Sequence, residues 1–237
     1  MQKPTTLMPG QERLERAIAH KGLASRREAK ALIVKGAVSV NGRMVTEPGF
    51  GILPDTDVIE IDGIDALADK QSFLVYKPRG IETSKTSASS RDLHDQFPAL
   101  ARLHPIGRLD KDSEGLIIMS DDGVLARALT KVGSTVGKTY LATVREQVTD
   151  TSLGRMAHGI VIDGVITLPA IVKRASRTSF TIELHEGRKH QIRRMADHCK
   201  LTLESLERVG IGHLVIGTMK PGSSRKISAE DIETLKA

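Results

Sequence analysis

At 237 residues the chain is long enough for one large domain, or for an ordinary domain with a small companion, and it can bury a core without covalent staples. Its single cysteine, Cys199, excludes an internal disulfide and suits a reducing compartment, and neither a signal-peptide core in residues 1–20 nor a run of roughly 18 apolar residues appears, so a cytoplasmic protein without a membrane span is expected. A formal charge of +6 and a pI near 9.5 point to a polyanionic partner, because clustered Lys and Arg gain affinity by displacing counterions from phosphates.

Residues 1–9 read as a loose tail. From Arg13 to Arg43 eight basic residues stand against two acidic ones, Glu15 and Glu28, so this stretch carries much of the basic charge. Leu14, Ala17 and Ile18 recur at helical spacing up to about His20, where Lys21-Gly22 breaks the pattern. In SRREAKALIVKG, Ser25 and Glu28 form a capping box; Ala29, Leu32 and Ile33 make the buried stripe, and Gly36 stops the helix. AVSVNGRMV then predicts a strand and a two-residue hairpin at Asn41-Gly42, since both residues tolerate positive φ.

The stretch RLERAIAHKGLASRREAKALIVKGAVSVNG resembles the small α-L RNA-binding module found in a ribosomal small-subunit protein and in several RNA-modifying enzymes. The resemblance implies binding to structured RNA through the basic helix and adjoining turn, with Arg26, Arg27, Lys30 and Arg43 as phosphate contacts. The module is expected to span residues 10–63, followed by a short linker, IDALADKQ, and a second domain over 72–237.

Beyond Phe73, FLVYKP reads as a strand ended by Pro78, VLARALTKV as a helix, KTYLATV as a strand and DTSLGRMAHG as a helix. VITLPAIVKRASRTSFTIELHEG supplies two or three strands, HQIRRMADHC a helix and LTLESLERVGIGHLVIG further strands. Strands follow one another too often for regular βαβ winding, so an α+β fold with a mainly antiparallel sheet flanked by helices is predicted. Neither G-x-G-x-x-G nor G-x-x-x-x-G-K-[ST] occurs, which leaves dinucleotide and nucleoside-triphosphate folds without local support.

GRLDKDSEGLIIMSDDG, residues 107–123, concentrates five carboxylates in a basic chain. Asp110, Asp112, Glu114, Gly115 and Asp121 fall near the positions of a calcium loop, but such a loop must leave a helix, and Pro105 and Gly107 break any helix upstream. A better reading makes Gly107 and Gly115 the hinges of a loop that holds Asp110 ahead of a buried strand, LIIM. Asp121 and Asp122 then favour the positive end of the next helix, Asp112 and Ser113 make local loop hydrogen bonds, and Glu114 is solvated.

HPIGRLDKDSEGLIIMSDDG resembles the G-R-L-D motif of pseudouridine synthases in the branch that contains RsuA, RluB, RluE and RluF, its D-K-D-S-x-G-L wording being nearest RluF. Downstream, KTYLATV resembles the K-x-Y strand of that family and EGRKHQIRRM its basic motif, so the three occur in family order behind the RNA-binding module. The resemblance implies isomerisation of uridine in RNA, nearest in wording to enzymes of large-subunit ribosomal RNA, with no metal, redox equivalent or small-molecule cofactor required. It makes Asp110 the catalytic carboxylate, leaving open attack at C1′, attack at C6 or removal of the 2′ proton.

By the same resemblance Tyr140 stacks on the target uracil and aids loss of the C5 proton. On the helix of RKHQIRRMADHC, Ile192, Met195, Ala196 and Cys199 face inward and His190, Arg194 and Asp197 outward, with Arg193 at the border. The family motif makes Arg193 the partner that aims Asp110, while Arg188, Lys189 and Arg194 hold RNA phosphates and Arg108 fills the space the flipped base leaves. Tyr76 is expected to be structural. His190, His198 and Cys199 match no strong zinc spacing.

A non-catalytic RNA-binding or ribosome-assembly protein would share the basic module, but it would not need Asp110, Tyr140 and Arg193 together. An RNA methyltransferase would need a glycine-rich cofactor loop that the chain lacks. A monomer is the default expectation.

Overall fold

In the computed structural model of the chain, residues 7–62, 70–87, 89–131 and 134–237 are described. Most of the expected linker, and the first six residues of the expected tail, lie outside them. The chain divides into two compact units, residues 1–71 with 121–127, and residues 72–120 with 128–237.

In the first unit, β1 (Glu12–Arg13) leads into α1 (Leu14–His20), followed by α2 (Arg26–Val34), β2 (Val38–Val40), β3 (Arg43–Met44), β4 (Gly51–Ile52) and β5 (Ile59–Ile61). The helix α2 starts where its sequence demands: the Ser25 hydroxyl accepts from the Glu28 amide and the Glu28 carboxylate accepts from the Ser25 amide, which satisfies two orphan donors. Asn41 and Gly42 both take positive φ between β2 and β3, as the hairpin requires. Leu14, Ile18, Ala29, Ile33, Val38 and Ile52 close the small core. Arg27, Lys30 and Arg43 are exposed and form no ion pair with a described residue, whereas Arg26 lies 3.6 Å from the buried Glu15.

Residues 121–127, which the sequence places in the second domain, belong to the first unit for a local reason. The Asp121 carboxylate accepts from the Gln71 amide, Lys70 pairs with both Glu28 and Asp122, and a Cβ on Gly123 would meet Ser25 at 2.0 Å. Asp122 caps the following helix by accepting from the Val124 and Leu125 amides. Asp121 is therefore spent on Gln71, where the sequence suggested the helix end.

The second unit opens with β6 (Ser72–Lys77), α3 (Leu93–Gln96), β7 (His104–Ile106) and β8 (Glu114–Ser120), and α4 (Gly123–Thr130) ends within it. There follow β9 (Lys138–Val144), α5 (Asp150–His158), β10 (Val161–Ile162), β11 (Val165–Ile166), β12 (Ile171–Arg174), β13 (Ser179–Leu184), α6 (Gln191–His198), β14 (Leu203–Ile211), β15 (Leu214–Val215), β16 (Ser224–Lys226) and α7 (Ala229–Lys236). The main sheet runs β12-β13-β9-β14-β8-β6-β16, with β15 beside β14 and β7 beside β8. Every pairing is antiparallel except β14 with β8, which makes the fold α+β as the strand pattern implies. Ala142, Val144, Phe180 and Ile182 of the sheet pack against Leu153 and Met156 of α5 and Ile192, Met195 and Ala196 of α6. Among the described residues no helix is long and apolar enough to cross a membrane.

The parallel pair fixes the approach to the loop of residues 107–113. Gly115 stands opposite Arg208 at φ +105°, and a Cβ there would come within 2.3 Å of the Arg208 carbonyl oxygen and 2.6 Å of its nitrogen. Only glycine satisfies both the dihedral and the close passage of two backbones. Gly115→Ala should lower the unfolding free energy by about 2–3 kcal/mol through strain and overpacking. Chemical denaturation of the variant beside the parent measures the loss.

Candidate active site

The loop between β7 and β8 carries Asp110, and its shape is set by bonds on both sides. The buried hydroxyl of Thr83 accepts from the Leu109 amide at 3.0 Å and donates to the Leu109 carbonyl at 2.7 Å. Gly107 turns the chain at φ +74°, the Ser113 amide donates to the Asp110 carbonyl, and the Gly80 amide donates to the Lys111 carbonyl. Lys77, with no exposed surface, directs its Nζ at the carbonyls of Pro78 and Ile81. Burial pulls its ammonium down to about 8 against the opposing fields of Glu114, Asp110 and Asp112. Glu114 is therefore half-buried in the field of a lysine, where the sequence suggested a solvated residue. Ser113 also departs from expectation: its amide serves the loop, while its hydroxyl is buried without a partner.

Asp110 opens onto a cavity of about 470 Å³, which also exposes Tyr140, Arg193, Arg108, Arg188, Lys189, Lys138 and Arg208. Five residues expected from separate motifs thus share one cavity with Asp110: Tyr140 from β9, Arg193 from α6, Arg108 beside the acid, and Arg188 and Lys189 ahead of α6. Their geometry differs from the expectation in three respects.

First, Arg193 lines the cavity without pairing with Asp110; among the described residues the group within 4 Å of the Asp110 carboxylate is the His190 ring, its Nε2 3.6 Å from Oδ1. Second, Arg188 is occupied inside the protein, donating to Glu186, to the Val165 carbonyl at 2.9 Å and to the Ile166 carbonyl at 2.7 Å. Third, Arg194 lies outside the cavity lining and grips both oxygens of Asp163, at 2.8 and 2.5 Å. Planar guanidinium forks suit such bidentate partners. Both arginines therefore hold the β10–β11 hairpin beside the turn that leads into α6.

The cation that the motifs did not reveal is Arg208 on β14, 4% exposed. It stands directly across from Tyr140 in the β14–β9 register, with Cζ 5.9 Å from the ring centroid and Nη1 3.4 Å from the phenol oxygen. Nε donates to the Leu116 carbonyl at 2.6 Å, while Nη2 is buried and has no hydrogen-bond partner among the described residues. Buried donors of this kind are uncommon, and the residue that carries this one lines the cavity. Strand alternation could have found it, because Arg208 shares the inward phase of Leu206 and Gly210.

Tyr76 is structural as expected: it is buried, and its hydroxyl donates to Glu207, an arrangement that together with burial pushes the phenol well above its ordinary range. Lys138 supports the far wall by donating to the carbonyls of Leu129 and Val136. Burial, helped by the charge of Arg208, pulls its ammonium down to about 8. A lysine held below its unfolded value loses its proton earlier in the folded state, so it adds stability as pH rises from about 8 toward its ordinary range. The stability of the parent relative to Lys138→Met should accordingly increase between pH 7 and about 10. Urea melts of both proteins across that range test the sign.

Three comparisons agree on what this arrangement is. Residues 71–198 match the RNA pseudouridylate synthase family and residues 12–58 match the S4 domain family. The ribosomal large subunit pseudouridine synthase B of Bacillus subtilis (strain 168) is 33% identical over 237 residues, 95% of this chain and 96% of that one. The dual-specificity RNA pseudouridine synthase RluF of Escherichia coli O6:H1 is 33% identical over 224 residues, 93% of this chain and 77% of that one. A crystal structure of a pseudouridylate synthase superposes with a TM-score of 0.69 at 28% identity, covering 94% of this chain and 99% of that one. With an S4 domain ahead of a catalytic domain, and with the three motifs meeting in one cavity, the chain belongs to the RNA pseudouridylate synthase family.

Proposed function

We propose that this protein converts a specific uridine of large-subunit ribosomal RNA to pseudouridine, acting as a cytoplasmic monomer without metal or cofactor. The observation that carries the reading is that Asp110, Tyr140 and Arg208 line one cavity. The substrate class rests on the relative in Bacillus subtilis, whose name specifies the ribosomal large subunit.

The reaction breaks the N1–C1′ bond, turns the uracil within the pocket and joins C5 to C1′; the proton lost from C5 balances the one gained at N1. No electrons enter or leave, so the chemistry needs only a carboxylate, a proton acceptor and a surface that holds the detached base. Asp110 supplies the carboxylate: attack at C1′ or removal of the 2′ proton requires its oxygen within reach of the ribose, and attack at C6 requires it within reach of the uracil. Tyr140, backed by Arg208, is the ring to stack on the uracil and the group to aid loss of the C5 proton. Lys189 and Arg108, exposed at the cavity, are the cations left for RNA, the second also positioned to occupy the space vacated by the flipped base. Arg193 faces the same cavity as a further contact to the nucleotide.

Two outcomes test the reading. Asp110→Asn should abolish pseudouridine formation in unmodified ribosomal RNA while RNA affinity stays within about tenfold, since phosphate contacts dominate binding. Normal turnover by this variant would remove the assignment. Pseudouridine mapping in cells with and without the protein then identifies the nucleotide.

Arg27 and Lys30, exposed on α2 and unpaired with any described residue, should act additively and without base preference. Replacing both with alanine should weaken RNA binding and reduce the slope of log affinity against log salt by about two. An unchanged slope in filter-binding measurements would place the RNA elsewhere.

A further inference from the structure

His190 sits in a constrained turn. Its φ of 53° and ψ of 32° are left-handed, and it precedes α6 without capping it by a side-chain hydrogen bond. The other non-glycine residues of positive φ among those described are Asn41, Asp163 and Lys200. Asn41 and Asp163 each precede a glycine in a tight hairpin, and Lys200 follows the end of α6. Histidine, like Asn and Asp, is enriched at positive φ, so the conformation is accessible to it, and at His190 it sets the direction in which the ring leaves the turn.

The turn is held from both sides. The Gln191 amide donates to the Arg188 carbonyl, the Arg188 amide donates to the Gln191 side chain, and Gln191 Nε2 donates to Glu186 at 2.8 Å. Gln191 is buried, so the backbone that presents the His190 ring is fixed. The ring lies with Nε2 3.6 Å from Asp110 Oδ1, and both side chains are close to half exposed.

We propose that His190 is a positioning residue for Asp110, its ring, which pairs with the carboxylate when protonated, steering that carboxylate toward the reacting nucleotide and offsetting the repulsion between it and the incoming phosphates. The inference rests on the assignment of Asp110 given above. Among the described residues neither Arg193 nor Arg208 forms an ion pair with Asp110, whereas the His190 ring does lie within 4 Å of it. His190 directly precedes α6, which is fixed in the core by Ile192 and Met195.

The test uses the full chain, an unmodified large-subunit ribosomal RNA transcript and steady-state kinetics. His190→Asn retains a residue that accepts the left-handed backbone but removes the charge; His190→Arg keeps the charge. With positioning as its role, His190→Asn lowers kcat about tenfold with KM changed by less than about twofold, and His190→Arg recovers kcat to within about threefold of the parent. Parental kcat in His190→Asn, equal impairment in both variants, or a rise in KM alone would each overturn the proposal. Asp110→Asn runs alongside: if it is inactive while His190→Asn is unimpaired, the histidine proposal fails alone, and if it stays active, the assignment of Asp110 and this inference fail together.

Discussion

The passage of β8 over β14 at Gly115 is the constraint on which the site depends. This is the parallel contact of an otherwise antiparallel sheet, and it brings two backbones too close for any Cβ. The strand leaving the loop of Asp110 is thereby laid against the residue that supplies the buried guanidinium. Arg208 in turn reaches the Leu116 carbonyl on one side and Tyr140 across the sheet on the other. Acid, tyrosine and cation, brought from distant parts of the chain, are related by the two pairings that β14 makes, with β8 and with β9. Rigid elements place reacting groups more accurately than mobile ones do.

Around these pairings two cations are answered by main-chain oxygen. Lys77 and the cavity-lining Lys138 are both pulled down by burial, and each donates to carbonyls rather than to a carboxylate. Arg108, Lys189, Arg193 and Arg208 add to the cations of the cavity lining, which suits a polyanionic substrate. The formal charge of the chain is a poorer guide to its RNA footprint. Arg188 and Arg194 hold Glu186, Asp163 and two carbonyls of a hairpin, so their charge organises the protein before any phosphate arrives.

Local features were legible because their causes are local. The Ser25–Glu28 box, the Asn41-Gly42 turn and the inward stripe of Ile192, Met195 and Ala196 each follow from interactions within a few residues. The short pieces fared worse. α3, β7, β16 and the terminal α7 carry too little periodicity to stand out, and β10–β11 is only two paired residues on each side. Asp121 was placed at a helix end by sequence proximity, yet it accepts from Gln71, fifty residues away along the chain.

Sequence by itself determined the order of the motifs and the basic character of the N-terminal module, since residue type and spacing carry those, while the family resemblance directed attention to Asp110 and Tyr140. Tertiary structure alone decided the partners. That Arg208 backs the tyrosine, that the His190 ring rather than Arg193 lies within 4 Å of the Asp110 carboxylate, and that two of the expected RNA contacts are internal clamps all depend on which strands and turns meet. Such pairings are set by register and backbone approach between segments up to about one hundred residues apart, as with Arg208 and the Arg108 carbonyl. A side chain's reach extends only a few ångströms, so its neighbour cannot be read from a position in the chain until the fold has brought that neighbour within range.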